Sequence, residues 1–375
     1  MQTTSARHYV SEVEVVDVFG VVSPNGATGE GTRPDGKPWG SGYPPSDPRN
    51  DPAYDQYTTE LDAKLVATLA EIGDTETIHD KVDGVAGAYR PERQAQHDAL
   101  LDELMAGFVN VPKENKAIVM AGPPGAGKTT VLKTDGATFG VEMDGGTPRN
   151  YAVVNPDDMK EIIVEKGLIP DDYPGRGIGP GESATFLHEE SSHLAARLLQ
   201  RLRAEGDNVI LDGTFSGNPD KQAGKVKALR EGGYTVTGVL VDGTVDRSLE
   251  NAARRHRKAP TTPGGSYSGR YVPYDLIETN RPSEGAASEV FGRPHRNKAS
   301  ENIERVQDEF DGGVLWYDNA TGQSRLVHRV GPGQEVIVGT DVSKSRWQPW
   351  QPVEQKAGGA DRNRGNAERL RRYWT

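Results

Sequence analysis

The sequence predicts an α/β fold, a parallel sheet with helices on both faces, and two observations carry that reading. Five short apolar runs alternate with helical segments between Lys116 and Tyr317. The first of these runs, AIVMA, leads straight into a glycine-rich turn and then a helix-compatible TTVLK. Strands that alternate with helices pair in parallel and need cover on both sides.

The elements follow in chain order. Residues 1–56 hold a short β-like run, Val13–Phe19, and then GATGEGTRPDGKPWGSGYPPSDPRNDP. Such a stretch cannot bury enough apolar area to offset its ordering entropy, so it reads as a flexible N-terminal extension. Residues 57–110 read as a helical segment packing on the core. Leu61, Leu65, Val66, Leu69 and Ile72 share one helical face behind Thr58 and Thr59 as caps. A second amphipathic helix follows Pro91, with Leu100, Leu101, Leu104, Met105 and Phe108.

Residues 111–320 read as the main domain. Its expected strands are Ala117–Ala121, Ala152–Val154, Val209–Leu211, Val236–Asp242 and Val314–Tyr317. Its expected helices are Met159–Lys166, Phe186–Leu202, Lys221–Arg230, Asp246–Lys258 and Ser300–Phe310. Over 321–375 the chain reads as a terminal hairpin, Arg325–Gly339, and a basic tail ending ERLRRYWT.

Composition excludes several classes. Lys and Arg number 44 against 55 Asp and Glu, a net charge of −11. That balance gives no broad electrostatic footprint for nucleic acid or an anionic membrane, so a bound polyanion must meet a local basic site. No run approaches the roughly 18 apolar residues of a membrane-spanning helix. The start, MQTTSARHYVSEVEVV, lacks the basic-then-apolar layout of a signal peptide. With no cysteine, disulfides, thiolate catalysis and thiolate zinc sites fall away together. The expectation is a cytoplasmic protein with no membrane partner and no nucleic-acid partner.

The glycine-rich turn carries the strongest chemistry. Residues 122–129 read GPPGAGKT, matching G-x-x-x-x-G-K-[ST]. Gly125 and Gly127 let the backbone turn so that successive N–H groups point at one anion, with Gly122 and Ala126 as the other nucleotide-binding residues of the loop. Lys128 places a cation between β- and γ-phosphates, the Thr129 hydroxyl can coordinate Mg²⁺, and Thr130 continues the helix start, whose dipole adds to the site. The expected fold is therefore P-loop NTPase/kinase-like, with a nucleoside triphosphate and Mg²⁺ bound at this loop.

Three further segments bear on the fate of the γ-phosphate. YAVVNPDDMKE ends a strand with Asn155, Asp157 and Asp158, where a carboxylate can take the proton of an acceptor hydroxyl; the same N-P-D-D also starts a helix well. NVILDGT puts Asp212 where an acid would hold Mg²⁺ with Thr129, or where a plain turn would sit. NAARRHRKAPTTPGGSYSGRYVPY (251–274) is basic and acid-free, suiting either a lid over transferring phosphate or a solvated face. HEESSH (188–193) mimics a zinc motif, but histidines five apart stand about 140° around a helix and cannot share one metal. His188 and Glu189 face either the crevice or solvent.

Taken in order, GPPGAGKTT, NPDDMK, HEESSHLAARLL, VILDGT and ARRHR…GRYVP resemble the zeta-toxin family of P-loop kinases over about residues 91–318. The resemblance implies ATP-dependent phosphorylation of the sugar 3′-hydroxyl of UDP-N-acetylglucosamine, a UDP-sugar acceptor, and an antitoxin partner. It places the catalytic aspartate on Asp157, the P-loop lysine and threonine on Lys128 and Thr129, and two phosphate-closing arginines on Arg255 and Arg270. Asp158, Glu189, Asp212 and Thr214 are the residues expected to meet the acceptor. Asp212 stands where the family's more familiar residue is Glu, and Ser216 where an arginine is expected. The glycine-rich stretch Gly167–Glu182 is the expected substrate flap. Two readings remain beside this one: a kinase of another small-molecule or nucleotide acceptor, and a structural, virion-associated protein with a vestigial nucleotide fold.

Overall fold

The computed structural model describes residues 51–75, 78, 89–169, 172–258, 269–331 and 334–336. The Val13–Phe19 run, the glycine- and proline-rich stretch up to residue 50 and the basic tail lie outside the described residues. Seven strands form one sheet: β1 (Lys116–Ala121), β2 (Ala152–Val154), β3 (Val209–Asp212), β4 (Thr235–Asp242), β5 (Val314–Asp318), β6 (Arg325–Gly331) and β7 (Gln334–Val336). Their order is β7-β6-β5-β4-β1-β3-β2. The first five pair in parallel, while β6 and β7 add an antiparallel edge.

Burial on both faces explains the unbroken apolar runs. In β1, Ala117, Val119 and Ala121 enter one core cluster, and Ile118 and Met120 enter the other. β4 splits in the same way, Val236 and Leu240 against Val239 and Val241. This period-of-two division is what a covered parallel sheet requires. The first cluster is closed by helices α2 (Pro91–Gly107), α4 (Pro156–Glu165), α5 (His188–Glu205), α6 (Pro219–Glu231) and α9 (Lys298–Val306). The second is closed by α3 (Lys128–Asp135) with Val141 and Tyr151. Helices α7 (Val245–Lys258) and α8 (Tyr274–Glu278) share a smaller cluster around Leu249 and Ile277.

Two expectations need correction. The first helix, α1 (Pro52–Glu71), begins well before the expected caps. Asp51 caps it, accepting from Ala53 N at 3.1 Å and from Tyr54 N, and proline occupies the first turn, where no N–H is required. Thr58 is instead buried within the helix, its hydroxyl bonded back to the Tyr54 carbonyl at 3.0 Å. Residues 52–56 are thus helical rather than part of an extension. The sheet is also not wholly parallel, because the expected terminal hairpin adds its strands to the edge of β5, with a register shift between Leu326 and His328.

One buried charge cluster fixes α2 to α5. Glu190 is fully buried and accepts from Arg93 Nε at 2.6 Å and from a second Arg93 nitrogen at 3.0 Å. His97 Nε2 lies 2.6 Å from the same carboxylate. Burial alone would raise the Glu190 pKa, but the bonds from His97 and Arg93 outweigh it and hold the carboxyl at about 2. A depressed carboxylate stabilises the fold at pH above its unfolded value, near 4.5, and that contribution is lost as pH falls toward 2. Glu190→Gln is expected to cost about 3–5 kcal/mol at pH 7, because Arg93 would stay buried without its counter-charge. In urea titrations the gap to the parent chain should close between about pH 5 and pH 2; a gap unchanged across that range would contradict this role.

Candidate active site

The carboxyl ends of β1, β3 and β2, neighbours in that order, open on one crevice. Ligands of open α/β sheets bind at such strand ends. β1 delivers the glycine-rich loop, β3 delivers Asp212, and β2 delivers Asn155, Asp157 and Asp158.

The loop's glycines are forced by contact as well as conformation. Gly125 and Gly127 lie in the left-handed region, at φ +76° and +93°. A Cβ on Gly122 would stand 2.7 Å from the Val241 carbonyl, and one on Gly127 would stand 2.6 Å from Asn319 Nδ2. Gly127 caps α3 without any side-chain acceptor, so the first N–H groups of that helix point into the crevice unclaimed by a cap. Lys128 Nζ donates to the Gly122 carbonyl at 3.0 Å and sits 3.7 Å from Asp212 Oδ1. Thr129 and Thr130 follow on the exposed side of α3.

Two asparagines hold the loop from outside it. Asn251 Nδ2 of α7 donates to the Gly125 carbonyl at 2.8 Å, and Asn319 Nδ2 donates to the Ala126 carbonyl at 2.5 Å. Asn319 is itself placed by the joined ends of β4 and β5. Its amide donates to the Asp242 carbonyl at 3.2 Å, and buried Asp242 is held by Arg293 and Asn297 at 3.0 and 2.9 Å. By holding the Ala126 carbonyl toward Asn319, the clamp points the Gly127 N–H of the same trans peptide the opposite way. Asn319→Ala is expected to weaken ATP binding about tenfold, the worth of one buried hydrogen bond; calorimetric titration showing unchanged affinity would contradict the clamp.

Asp157 stands in the first turn of α4, whose cap Asn155 accepts from the Asp157 amide at 2.9 Å. Its carboxylate is 43% exposed and meets two cations, Lys160 Nζ at 3.1 Å and Arg270 at 3.2 Å. Burial in the crevice would raise its pKa, but Lys160, Arg270 and Arg255 together hold it well below the usual carboxylate range. Of the two arginines expected from the basic segment, Arg270 contacts Asp157 and Arg255 acts on it through its charge. Residues 259–268 between them lie outside the described residues.

The adjacent carboxylates behave differently. Asp158 touches solvent at the mouth of the crevice. Desolvation there outweighs Arg270 and, with the charges of Asp212 and Asp157, pushes its carboxyl up to about 7. Desolvation also raises Asp212, against the pull of Lys128. Asn155 Nδ2 reaches Asp212 Oδ2 at 3.5 Å, while Asp212 Oδ1 is buried without a hydrogen-bond partner. Asp157, held low, and Asp158, pushed up, form a carboxylate pair whose surroundings drive them apart, a pattern of acid–base sites.

Glu189 is half-buried, and its negative charge favours the Lys160 ammonium. His188 sits beside it, held down to about 4 by burial and by the Lys160 charge. Thr214 follows β3: its carbonyl accepts from the Gly122 amide at 3.3 Å, and its hydroxyl accepts from Ser216 at 2.9 Å. The turn bends sharply at Phe215, a non-glycine residue at φ +55°, and Asn302 clamps it by donating to the Phe215 and Gly217 carbonyls at 2.9 and 2.7 Å. Of the expected flap, residues 170 and 171 lie outside the described residues. Its far end is pinned, since Glu182 is buried and accepts from the Gly179 amide at 2.8 Å and from the Tyr57 hydroxyl. Among the described residues no helix is long and apolar enough to cross a membrane.

The sequence reading names Lys128, Asn155, Asp157, Asp212, Arg255 and Arg270 but misses Lys160, Asn251 and Asn319. Lys160 had a signal, standing one helical turn after Asp157; the two loop-clamping asparagines had none.

Comparison with known proteins bears on the family and the fold. The family model described as Zeta toxin matches residues 101–309, more than half of the chain. A cytidylate kinase of Haloquadratum walsbyi (strain DSM 16790 / HBSQ001) is 26% identical over 158 residues, covering 41% of this chain and 71% of its own. The crystal structure of AvrRxo1-ORF1:AvrRxo1-ORF2 with sulphate ions superposes with a TM-score of 0.50 at 18% identity, covering 76% of this chain and 87% of that one. The AvrRxo1-ORF1:-ORF2 structure with ATP gives the same TM-score and identity over 71% and 79%. At that identity the likeness is one of fold.

Proposed function

Because the chain belongs to the Zeta toxin family, we propose that it is an ATP-dependent kinase acting on a sugar hydroxyl, the 3′-hydroxyl of UDP-N-acetylglucosamine in the first instance. One observation carries the reading. A phosphate loop after β1 and a carboxylate held between Lys160 and Arg270 after β2 flank the end of β3 in one crevice.

The residues fit the groups this chemistry needs. The glycine cradle and the uncapped start of α3 suit the triphosphate of ATP, and Thr129 with Asp212 Oδ1, which has no hydrogen-bond partner, suits Mg²⁺. When bound, the cation neutralises charge on the β- and γ-phosphates. Lys128 anchors the same oxygens. Asp157 orients the acceptor hydroxyl and takes its proton. Its low basicity with Arg270 attached is a resting condition, because phosphate drawn to Arg255 and Arg270 competes for those cations and returns basicity to the carboxylate. Since phosphoryl transfer passes through a loose transition state, positioning and electrostatics supply most of the catalysis.

The cytidylate kinase relative favours a second reading, a nucleotide phosphate as acceptor. An acceptor phosphate is already anionic and needs no base, whereas a hydroxyl does, and Asp157 supports the hydroxyl. The family also supports an antitoxin as protein partner and the cytoplasm as the place of action. Mass spectrometry of Mg-ATP reactions with UDP-sugars, CMP and free nucleosides separates the readings. One added phosphoryl group on UDP-N-acetylglucosamine is the expected product; CDP from CMP, with no sugar product, would overturn it.

A further inference from the structure

Helix α1 spends its buried face away from the sheet. Its side chains from Tyr54 to Leu69 cluster with Tyr173 and Ile178 of the glycine-rich stretch and with Ala253 and Tyr271 of the arginine segment; among the described residues no strand contributes. The polar contacts divide the same way. Toward the glycine-rich stretch, Lys64 donates to the Gly177 carbonyl at 3.2 Å, Glu71 pairs with Arg176 at 2.6 Å, and the Tyr57 hydroxyl donates to Glu182. Toward the arginine segment, Asp51 pairs with Arg257, the Tyr54 hydroxyl and His256 Nδ1 stand 2.9 Å apart, and the Tyr271 hydroxyl donates to Asp62 at 2.8 Å.

These contacts grip residues adjacent to the two arginines. His256 follows Arg255 and Tyr271 follows Arg270. The two gripped stretches also meet each other: the Tyr271 amide donates to the Gly181 carbonyl at 3.1 Å, and a Cβ on Gly181 would stand 2.7 Å from the Gly269 carbonyl. Between them Arg270 reaches Asp157 at 3.2 Å. Phe186, which leads into α5, completes the cluster under α1.

We propose that α1 is an intrachain strap that sets Arg255 and Arg270 against Asp157, with Tyr57, Asp62 and Tyr271 as positioning residues. The inference rests on the reading above of both arginines as the groups that meet the transferred phosphoryl. Displacing such groups by about 1 Å costs on the order of a hundredfold in rate.

The test uses the full chain carrying Tyr57→Phe with Tyr271→Phe, which keeps both rings and removes both hydroxyl bonds. The strap predicts that kcat with ATP and UDP-N-acetylglucosamine falls about ten- to a hundredfold while KM for ATP stays within about twofold. It predicts little additional loss on an Arg270→Ala background, and faster hydrogen exchange at the Tyr271 amide. Unchanged kcat and exchange in the folded variant would overturn it, as would a loss that multiplies fully with Arg270→Ala. Should that pair fail to fold, Asp62→Asn is read the same way. Exchange at Tyr271 needs no acceptor, so a parent chain that transfers no phosphoryl group would sink the functional reading and leave the strap to be decided by exchange.

Discussion

Asp157→Asn is expected to lower phosphoryl transfer by about 10²–10⁴-fold, the usual worth of a general base, while ATP affinity stays within about threefold. The separation follows from the sheet order: Asp157 stands at the end of β2, with β3 between it and the strand that carries the phosphate loop. Its partners are Lys160 and Arg270, not the loop. Asparagine keeps the volume and can still accept from Lys160, so circular dichroism should show an intact fold. Isothermal titration with a non-hydrolysable ATP analogue, beside a turnover assay, reads both quantities. Equal losses of binding and turnover would contradict the assignment, because Asp157 would then belong to the nucleotide subsite.

Lys128→Ala is expected to damage both steps. The ammonium stands 3.0 Å from the Gly122 carbonyl and 3.7 Å from Asp212, between the loop and the end of β3. Its removal takes away a charge-assisted contact worth about 1.5–3 kcal/mol, or roughly ten- to a hundredfold in ATP affinity. Transfer should fall further, by about 10³-fold, since the same charge offsets the transition state more than the ground state. Asp212 would also lose the cation that opposes its desolvation. Full transfer activity in this variant would show that another centre does the chemistry.

The parts legible in the sequence are those written locally. β2 matches its expected span, and the other four parallel strands lie within one residue at either end, because strands buried on both faces must be continuous apolar runs. The phosphate loop is legible because closely spaced glycines, a lysine and a threonine are all required by one anion. The start of α1 was hidden for a physical reason. Its Asp51 cap and Pro52 belong to the same glycine-, proline- and aspartate-rich composition that signals an unstructured stretch, and its support comes from tertiary packing. The asparagine clamps were illegible because their partners lie 126 and 193 residues away in the chain. The same holds for the contacts between α1 and the two stretches bearing on Arg255 and Arg270, where Tyr271 and Asp62 are 209 residues apart.

The measurement that bears most directly on the account is ³¹P NMR of the purified chain with Mg-ATP and UDP-N-acetylglucosamine, run beside Asp157→Asn. The account predicts a new phosphomonoester resonance on the sugar, coupled to the proton at its 3-position, growing with the parent chain and absent with the variant. ATP bound by both chains with no new phosphomonoester from either would contradict it.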